Sequence, residues 1–236
     1  MAITLASATS DYVNLGQPSA LNLNPRSEWT ILCWAKTTTS SDSGTFIGKG
    51  DATTANRQYQ LTYGSPGPPY QLQAVVGGTF YNSGAVGGNA IWHHCVLLNY
   101  DDAGTYRFRM YQDGAAVGTT AASGTATNAY DVLIGARRGT GNTGSGFLFS
   151  GSLDDMRVYN RALYVSEIET IYAARGRDSI VFGLVGRWVM LDREPGVTAS
   201  GTNQVKDWSD QQNHGTASGS PSFSESYTVS RKSRFL

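Results

Sequence analysis

Residues 149–172 read FSGSLDDMRVYNRALYVSEIETIY. The first half is a strand by composition and pattern, with Leu153, Met156 and Val158 carrying its apolar side. After the turn residues Asn160 and Arg161 the period changes from two to between three and four. Leu163, Ile168, Ile171 and Tyr172 recur at helical spacing and predict one short amphipathic helix near residues 165–174, able to cover a sheet.

The rest of the chain is strand-like. Alternation marks Ile3–Ala6, Tyr12–Leu15, Trp29–Lys36, Thr45–Lys49, Tyr59–Tyr63, Tyr70–Val76, Phe80–Asn82, Ile91–Tyr100, Tyr106–Gln112, Ala115–Thr119, Val132–Gly135 and Phe147–Tyr159. Turn signals separate them: Ser65 to Pro69, Gly77-Gly78, Gly87-Gly88-Asn89, Asp101 to Gly104 and Asp113-Gly114. A chain of 236 residues with 28 glycines and only 15% charged side chains fits many short strands joined by tight turns. The expectation is one all-β domain, 1–236, built as a two-sheet antiparallel sandwich. No repeat of propeller length is present.

Composition also excludes partners. Eighteen basic and eighteen acidic residues cancel, and no basic stripe interleaved with aromatics appears, so no nucleic acid is expected. No run approaches the ~18 apolar residues of a membrane span. The start, MAITLASATSDYVNLG, does not read as a secretory leader, which predicts a protein kept in the cytoplasm where it is made or exported by another route.

Several segments resemble one known family. Residues 149–172 match, nearly letter for letter, the closing motif of laminin-G-like jelly-roll domains in the concanavalin A-like lectin and glucanase superfamily, G-x-I-D-D-V-R-I-Y-N-R-A-L-S-x-x-E-I. Trp92 to Val96 with Asn99-Tyr100-Asp101, Met110 to Gly114, and Leu133-Ile134-Gly135 resemble further strands of these domains in the same order, over residues 1 to about 175. The resemblance implies a concanavalin A-like jelly roll. It also bears on Cys33 and Cys95, each in a strand-like run beside tryptophan. Taken alone, these are either buried reduced thiols or a bridge; both strands resemble the cysteine-bearing strands of pentraxins, which carry a disulfide there, so the two sulfurs are expected to face each other.

Beyond the helix the order departs from the family. Gly183 to Trp188 and Val205 to Thr216 resemble the opening segment, G-L-V-G-x-W followed by D-x-S-G-N-G-N-H-G-T. The domain therefore reads as circularly permuted, with residues 180–224 supplying the family's N-terminal strand. That segment folds back into its own sandwich, enters a neighbour by strand exchange, or belongs to a truncated second domain. Residues 225–236 form a basic tail, either a solvated end or a docking element.

Little here points to catalysis. The superfamily's glucanase patterns E-x-D-x-x-E and E-x-D-x-E are missing, and Asp154-Asp155, as neighbours on a regular strand, should point to opposite faces. His93, His94 and His214 have no nucleophile context, and two separated cysteines make no zinc site. Gly139 to Gly144 lacks the lysine and helix of a phosphate loop. A structural calcium ion is the one cofactor worth testing: Asp154 matches a superfamily calcium position, and the turn at Asp207 is rich in oxygen donors.

The resemblance, with the missing catalytic acids, implies a non-enzymatic protein. Sequences of this permuted type resemble phage structural proteins, so the expected setting is a tailed-phage virion, as a capsid decoration, fibre or tail-associated subunit. Other virion proteins or further copies of the chain would be its partners, as a homo-oligomer, with host glycan as a further ligand. The alternative is a free, extracellular carbohydrate-binding module. Tyr63, Tyr70, Tyr81 and Tyr130 are the glycan-contact candidates, each of which could instead pack in the core.

Overall fold

A computed structural model describes residues 2–38, 43–64, 70–84, 90–140, 145–225 and 227–228. The turn at Ser65–Pro69, the Gly87–Asn89 turn, most of the Gly139–Gly144 loop and nearly all of the basic tail lie outside the described residues.

Two antiparallel sheets of eight strands each face one another. The first contains β1 (Ala2–Leu5), β3 (Trp29–Thr37), β8 (His93–Asp102), β9 (Thr105–Gln112), β10 (Ala115–Ala122), β12 (Gly151–Tyr159), β13 (Leu184–Trp188) and β16 (Ser222–Ser224). The second contains β2 (Tyr12–Gly16), β4 (Gly44–Lys49), β5 (Tyr59–Gly64), β6 (Gln71–Val76), β7 (Thr79–Asn82), β11 (Val132–Ile134), β14 (Gly201–Val205) and β15 (Gly215–Ser218). This is the expected all-β sandwich, with strands close to the runs read from alternation. The helix α1 spans Val165–Ala174. Among the described residues, no helix is long and apolar enough to cross a membrane.

Between the sheets lies one continuous core to which Trp29, Ile31, Cys33, Phe46, Tyr59, Tyr63, Phe149, Met156 and Trp188 contribute. Cys33 and Cys95 sit directly opposite on β3 and β8, as free buried thiols. A second cluster lies on the outer face of the first sheet: Leu32, Val96, Leu98, Tyr111 and Tyr159 under Leu163, Ile168 and Ile171 of the helical segment. Tyr172 at the end of α1 stacks on Trp34 at 5.7 Å and on His94 at 6.0 Å. Both faces of β12 are thereby covered, and all nine of its residues are buried.

At Asp154-Asp155 the strand departs from expectation. Asp154 pairs with Trp34 and Arg157 with Leu32, so Asp155 and Met156 together oppose Cys33. This is a β-bulge, with Asp155 at φ +42°. The extra residue puts both carboxylates on the outer face, where alternation had placed them on opposite faces. Asp155 is gripped by Arg157 Nη2 at 2.6 Å and by Arg187 Nε at 2.8 Å, while Arg157 also reaches Asp178 at 2.8 Å.

The bulge lies where β12 changes partners. Along one edge it pairs with β3 throughout; along the other, residues 151–153 pair with β1 and residues 156–159 with β13. The C-terminal segment continues through β15, which pairs with β2, and β16, which pairs with β1. Within this chain residues 184–224 thus lie beside the N-terminal strands and β12.

Burial opposes ionisation of Asp155, but Arg157 and Arg187 outweigh it and hold its carboxyl at about 2. Because 2 lies below the ordinary 3.8, the unfolded chain binds this proton first on acidification, and stability is lost as pH falls from about 4 to 2. His94 acts in a higher window: burial, with a smaller push from Arg157, lowers it from 6.5 to about 4, so stability declines between those values as pH falls. Urea titrations across pH 2–7 should show both declines, the upper one worth about 3 kcal/mol. His94→Phe should flatten the upper window alone; an unchanged profile would contradict the assignment. Asp155→Ala should cost about 3–5 kcal/mol at pH 7, because two guanidiniums lose their shared partner.

Candidate functional site

The outer face of the second sheet is covered differently from the first. Gln60 and Thr62 of β5 and Gln73 and Val75 of β6 form the floor of a cleft of about 150 Å³, walled by Arg57, Phe80, Arg137 and Phe147. Strand alternation makes the floor: Leu61 and Ala74 face the core, so their neighbours face outward. The register places Val75 opposite Phe80 and Ala74 opposite Tyr81, which turns Phe80 outward and Tyr81 inward. Gly48 of β4 keeps the adjoining floor low: a Cβ there would come within 3.6 Å of both Gln60 and Arg137 side chains.

Two rings are open to solvent, Phe80 at 48% and Phe147 at 36% exposure. Phe147 occupies left-handed backbone, φ +49°, an uncommon conformation for an aromatic residue. It is held there by two anchors. Its carbonyl accepts the N–H of Thr45 at 3.0 Å, and the preceding Gly146 exchanges backbone hydrogen bonds with Arg137 at 2.8 and 3.0 Å. The Arg137 guanidinium lies 5.6 Å from the ring centroid of Phe147. Gln60, 1% exposed, donates from Nε2 to Thr45 Oγ1 at 2.8 Å, while its Oε1 has no hydrogen-bond partner. The floor of the cleft thus holds a buried acceptor without a protein donor beneath two exposed rings.

Two other hollows are lined differently. A 640 Å³ cleft includes Asn22, Asn24, Glu28, Trp29 and Tyr106, but Trp29 is wholly buried and presents no ring face. A 390 Å³ hollow lies beside Trp208, which is 46% exposed, and includes Asp192, raised in pKa by burial. Of these three hollows, the cleft on the second sheet joins two exposed rings to buried amides.

A family model describing the concanavalin A-like lectin/glucanases superfamily matches residues 7–169. The chain belongs to this superfamily. Similar solved structures include a Bacteroides ovatus protein provisionally described as carbohydrate-binding, 17% identical over 97% of this chain with a TM-score of 0.68. This chain spans 61% of that protein. The CBM40 of a Ruminococcus gnavus IT-sialidase, bound to α2,3-sialyllactose, is 16% identical over 69% of this chain and 91% of its own, with a TM-score of 0.52. A heptameric SAP-like pentraxin from Limulus polyphemus is 14% identical over 70% of this chain and 83% of its own, at 0.49. No curated protein matches.

Within this superfamily sandwich the tyrosines expected to meet glycan do not form one site. Tyr63 is wholly buried between the sheets, its hydroxyl 3.3 Å from Cys95 Sγ, and is out of reach of any ligand. Tyr81 packs edge-on against Phe108 and accepts the Thr119 N–H at its hydroxyl. Tyr70 is half-buried against the core, and Tyr130 donates to Asp51 at 3.3 Å. The exposed rings are instead Phe80 and Phe147, and the alternation of Thr79-Phe80-Tyr81-Asn82 carries the signal for the first of them.

The calcium expectation does not fit either. Asp154 Oδ2 accepts the Tyr227 and Thr228 N–H groups and the Thr228 hydroxyl at 3.0–3.1 Å, and Oδ1 accepts the Asp155 N–H. Asp207 orders its own turn through the N–H groups of Arg187, Ser209 and Asn213 and the Ser209 hydroxyl. Calcium needs six to eight oxygens on its surface; here donor hydrogens already point at these carboxylates. Among the described residues, no group of three His, Cys, Asp or Glu side chains could hold a metal. The melting temperature should therefore agree within about 1 °C in EDTA and in millimolar calcium; a rise of several degrees with calcium would restore the ion.

Proposed function

We propose that the protein is a non-catalytic glycan-binding module that takes a sugar in the cleft of β5 and β6. The observation that carries this reading is the pairing of exposed Phe80 and Phe147 with the buried, unpaired Gln60 Oε1. Rings offer flat apolar faces for the C–H side of a pyranose, while the unpaired Gln60 Oε1 offers an acceptor to a sugar hydroxyl. The cleft has room for about one ring, with the remaining chain crossing the rim. The carbohydrate-binding neighbours agree with this reading in fold. The adjacent acids Asp154 and Asp155 are wholly buried and bound to protein donors, which supports binding without hydrolysis.

We place the module on a tailed-phage particle. Support comes from an exposed apolar cluster at the start of α1: Tyr164, Val165, Val181 and Phe182 flank the Arg161–Glu167 ion pair, and Arg161 packs over Phe182. Such a patch suits a neighbouring subunit or a second copy. The permuted order belongs to the same proposal: the family match ends at residue 169, while residues 184–224 lie beside β1, β2 and β12. Co-sedimentation with capsids or tails should be seen, and Phe182→Asp should abolish it; a freely secreted monomer would favour the lectin alternative.

A glycan array followed by calorimetry tests the site. Phe80→Ala and Phe147→Ala should each weaken the best ligand about tenfold, or about 1.4 kcal/mol, with little change in melting temperature. Undiminished binding by both variants would remove the site from this cleft.

A further inference from the structure

Five arginines of this chain are paired with acids. Arg107, Arg138, Arg157, Arg161 and Arg187 all contact carboxylates, of Asp102, Asp131, Asp155 with Asp178, Glu167 and Asp155 respectively. Arg57 and Arg137, which wall the cleft together, are different. Among the described residues neither makes an ion pair. Arg57 donates to the backbone carbonyls of Asp51 at 3.0 Å and Ala52 at 2.7 Å. Arg137 donates to its neighbour's carbonyl at 3.4 Å, and its buried Nε has no partner.

Two half-buried cations that face one cleft and share a single nearby carboxylate are costly. Burial, then the charge of Arg137, pushes Arg57 down to about 10, with Asp51 opposing; burial likewise lowers Arg137, again against Asp51. Asp51, held by Thr53 N, Asn56 Nδ2 and the Tyr130 hydroxyl, places one negative charge near the two positive ones and offsets them only in part. Carbonyl contacts fix Arg57, and the Gly146 bridge fixes the backbone of Arg137, so a ligand meets charges already in place.

Resting on the glycan reading, we propose that the cleft selects acidic sugars, whose anionic substituent lies between Arg57 and Arg137 while the ring rests against Phe80 and Phe147. Guanidinium forks match the paired oxygens of a carboxylate and also accept sulfate. The bound anion balances the remaining positive charge, which a neutral sugar cannot.

Calorimetry on the whole chain at physiological ionic strength tests this with three matched pairs: trigalacturonate against its methyl ester, sialyllactose against lactose, and 3′-sulfolactose against lactose. At least one acidic member should bind ten or more times more tightly than its neutral partner, and weaken as salt is raised. Preference in the first two pairs alone assigns a carboxylate; preference in the third alone assigns sulfate. Arg57→Gln and Arg137→Gln should each remove most of that preference, costing the acidic member at least about fivefold more affinity than its neutral partner. Phe80→Ala should weaken acidic and neutral sugars alike. Equal binding of acidic and neutral members, or equal losses on both from the arginine variants, overturns acidic selection and leaves the glycan site standing. No binding of any sugar, on these probes and on the array, overturns both. Unchanged melting temperatures in the variants separate lost recognition from lost folding.

Discussion

The carboxylate of Asp155, held between Arg157 and Arg187, fixes how the two ends of the chain meet. β12 lends one edge first to β1 and then to β13. Two strands that arrive from opposite ends of the sequence need not share a register, and the bulge absorbs the difference. Its cost is an extra residue whose backbone leaves the ladder and whose side chain is buried. Aspartate tolerates the left-handed conformation there, and its charge is answered from both sides, by Arg157 on β12 itself and by Arg187 on the arriving strand. A slip of β13 by one residue would turn Arg187 to the other face and leave Asp155 short of a partner. A buried ion pair contributes little net stability against a well-packed apolar substitute; its effect here is to penalise wrong registers. Asp154 extends the arrangement to the far end of the chain through Tyr227 and Thr228.

This stitching uses up the outer face of the first sheet. Helix α1, Trp34, His94, Tyr172 and Tyr227 cover it, and Asp178 closes the arginine network from the segment after the helix. The second sheet carries no such burden. Its outward positions on β5 and β6 include amides, a hydroxyl and one valine, walled by two rings and two guanidiniums. The sandwich is therefore asymmetric, with one face committed to closing the chain and the other bearing the cleft.

Much of this was legible in the sequence, and the misses have physical causes. Period-two runs predicted the strands, and the change of period after Tyr159 placed α1 at its observed limits. The bulge was visible too, since Leu153 and Met156 are three apart where a regular strand spaces apolar residues by two; treating 151–159 as regular separated Asp154 from Asp155. Tyr63 misled because a tyrosine can bury its ring when its hydroxyl finds a partner, here Cys95 Sγ. The cleft was not legible at all as a site. Arg57 follows a short turn, Arg137 follows β11 and Phe147 precedes β12, so only the sheet order β11-β4-β5-β6-β7 brings them together. Nor can a sequence show that two arginines lack acidic partners when five others have them.

The walls of the cleft are loops, yet the backbone there is restrained. Phe147 keeps an unfavourable φ because Thr45 and the Arg137–Gly146 bridge fix the residues on either side of it. Arg57 is tied to two carbonyls of its own turn. Conformations of this kind persist only where the surroundings over-determine them, and the restraint comes from β4 and β11, not from anything bound. Ordering of ring and guanidinium is thus largely completed when the sheet forms, which lowers the entropy that a ligand must overcome. The left-handed turn at Phe147, a local liability for folding, is on this argument the feature that makes a shallow one-ring cleft able to bind.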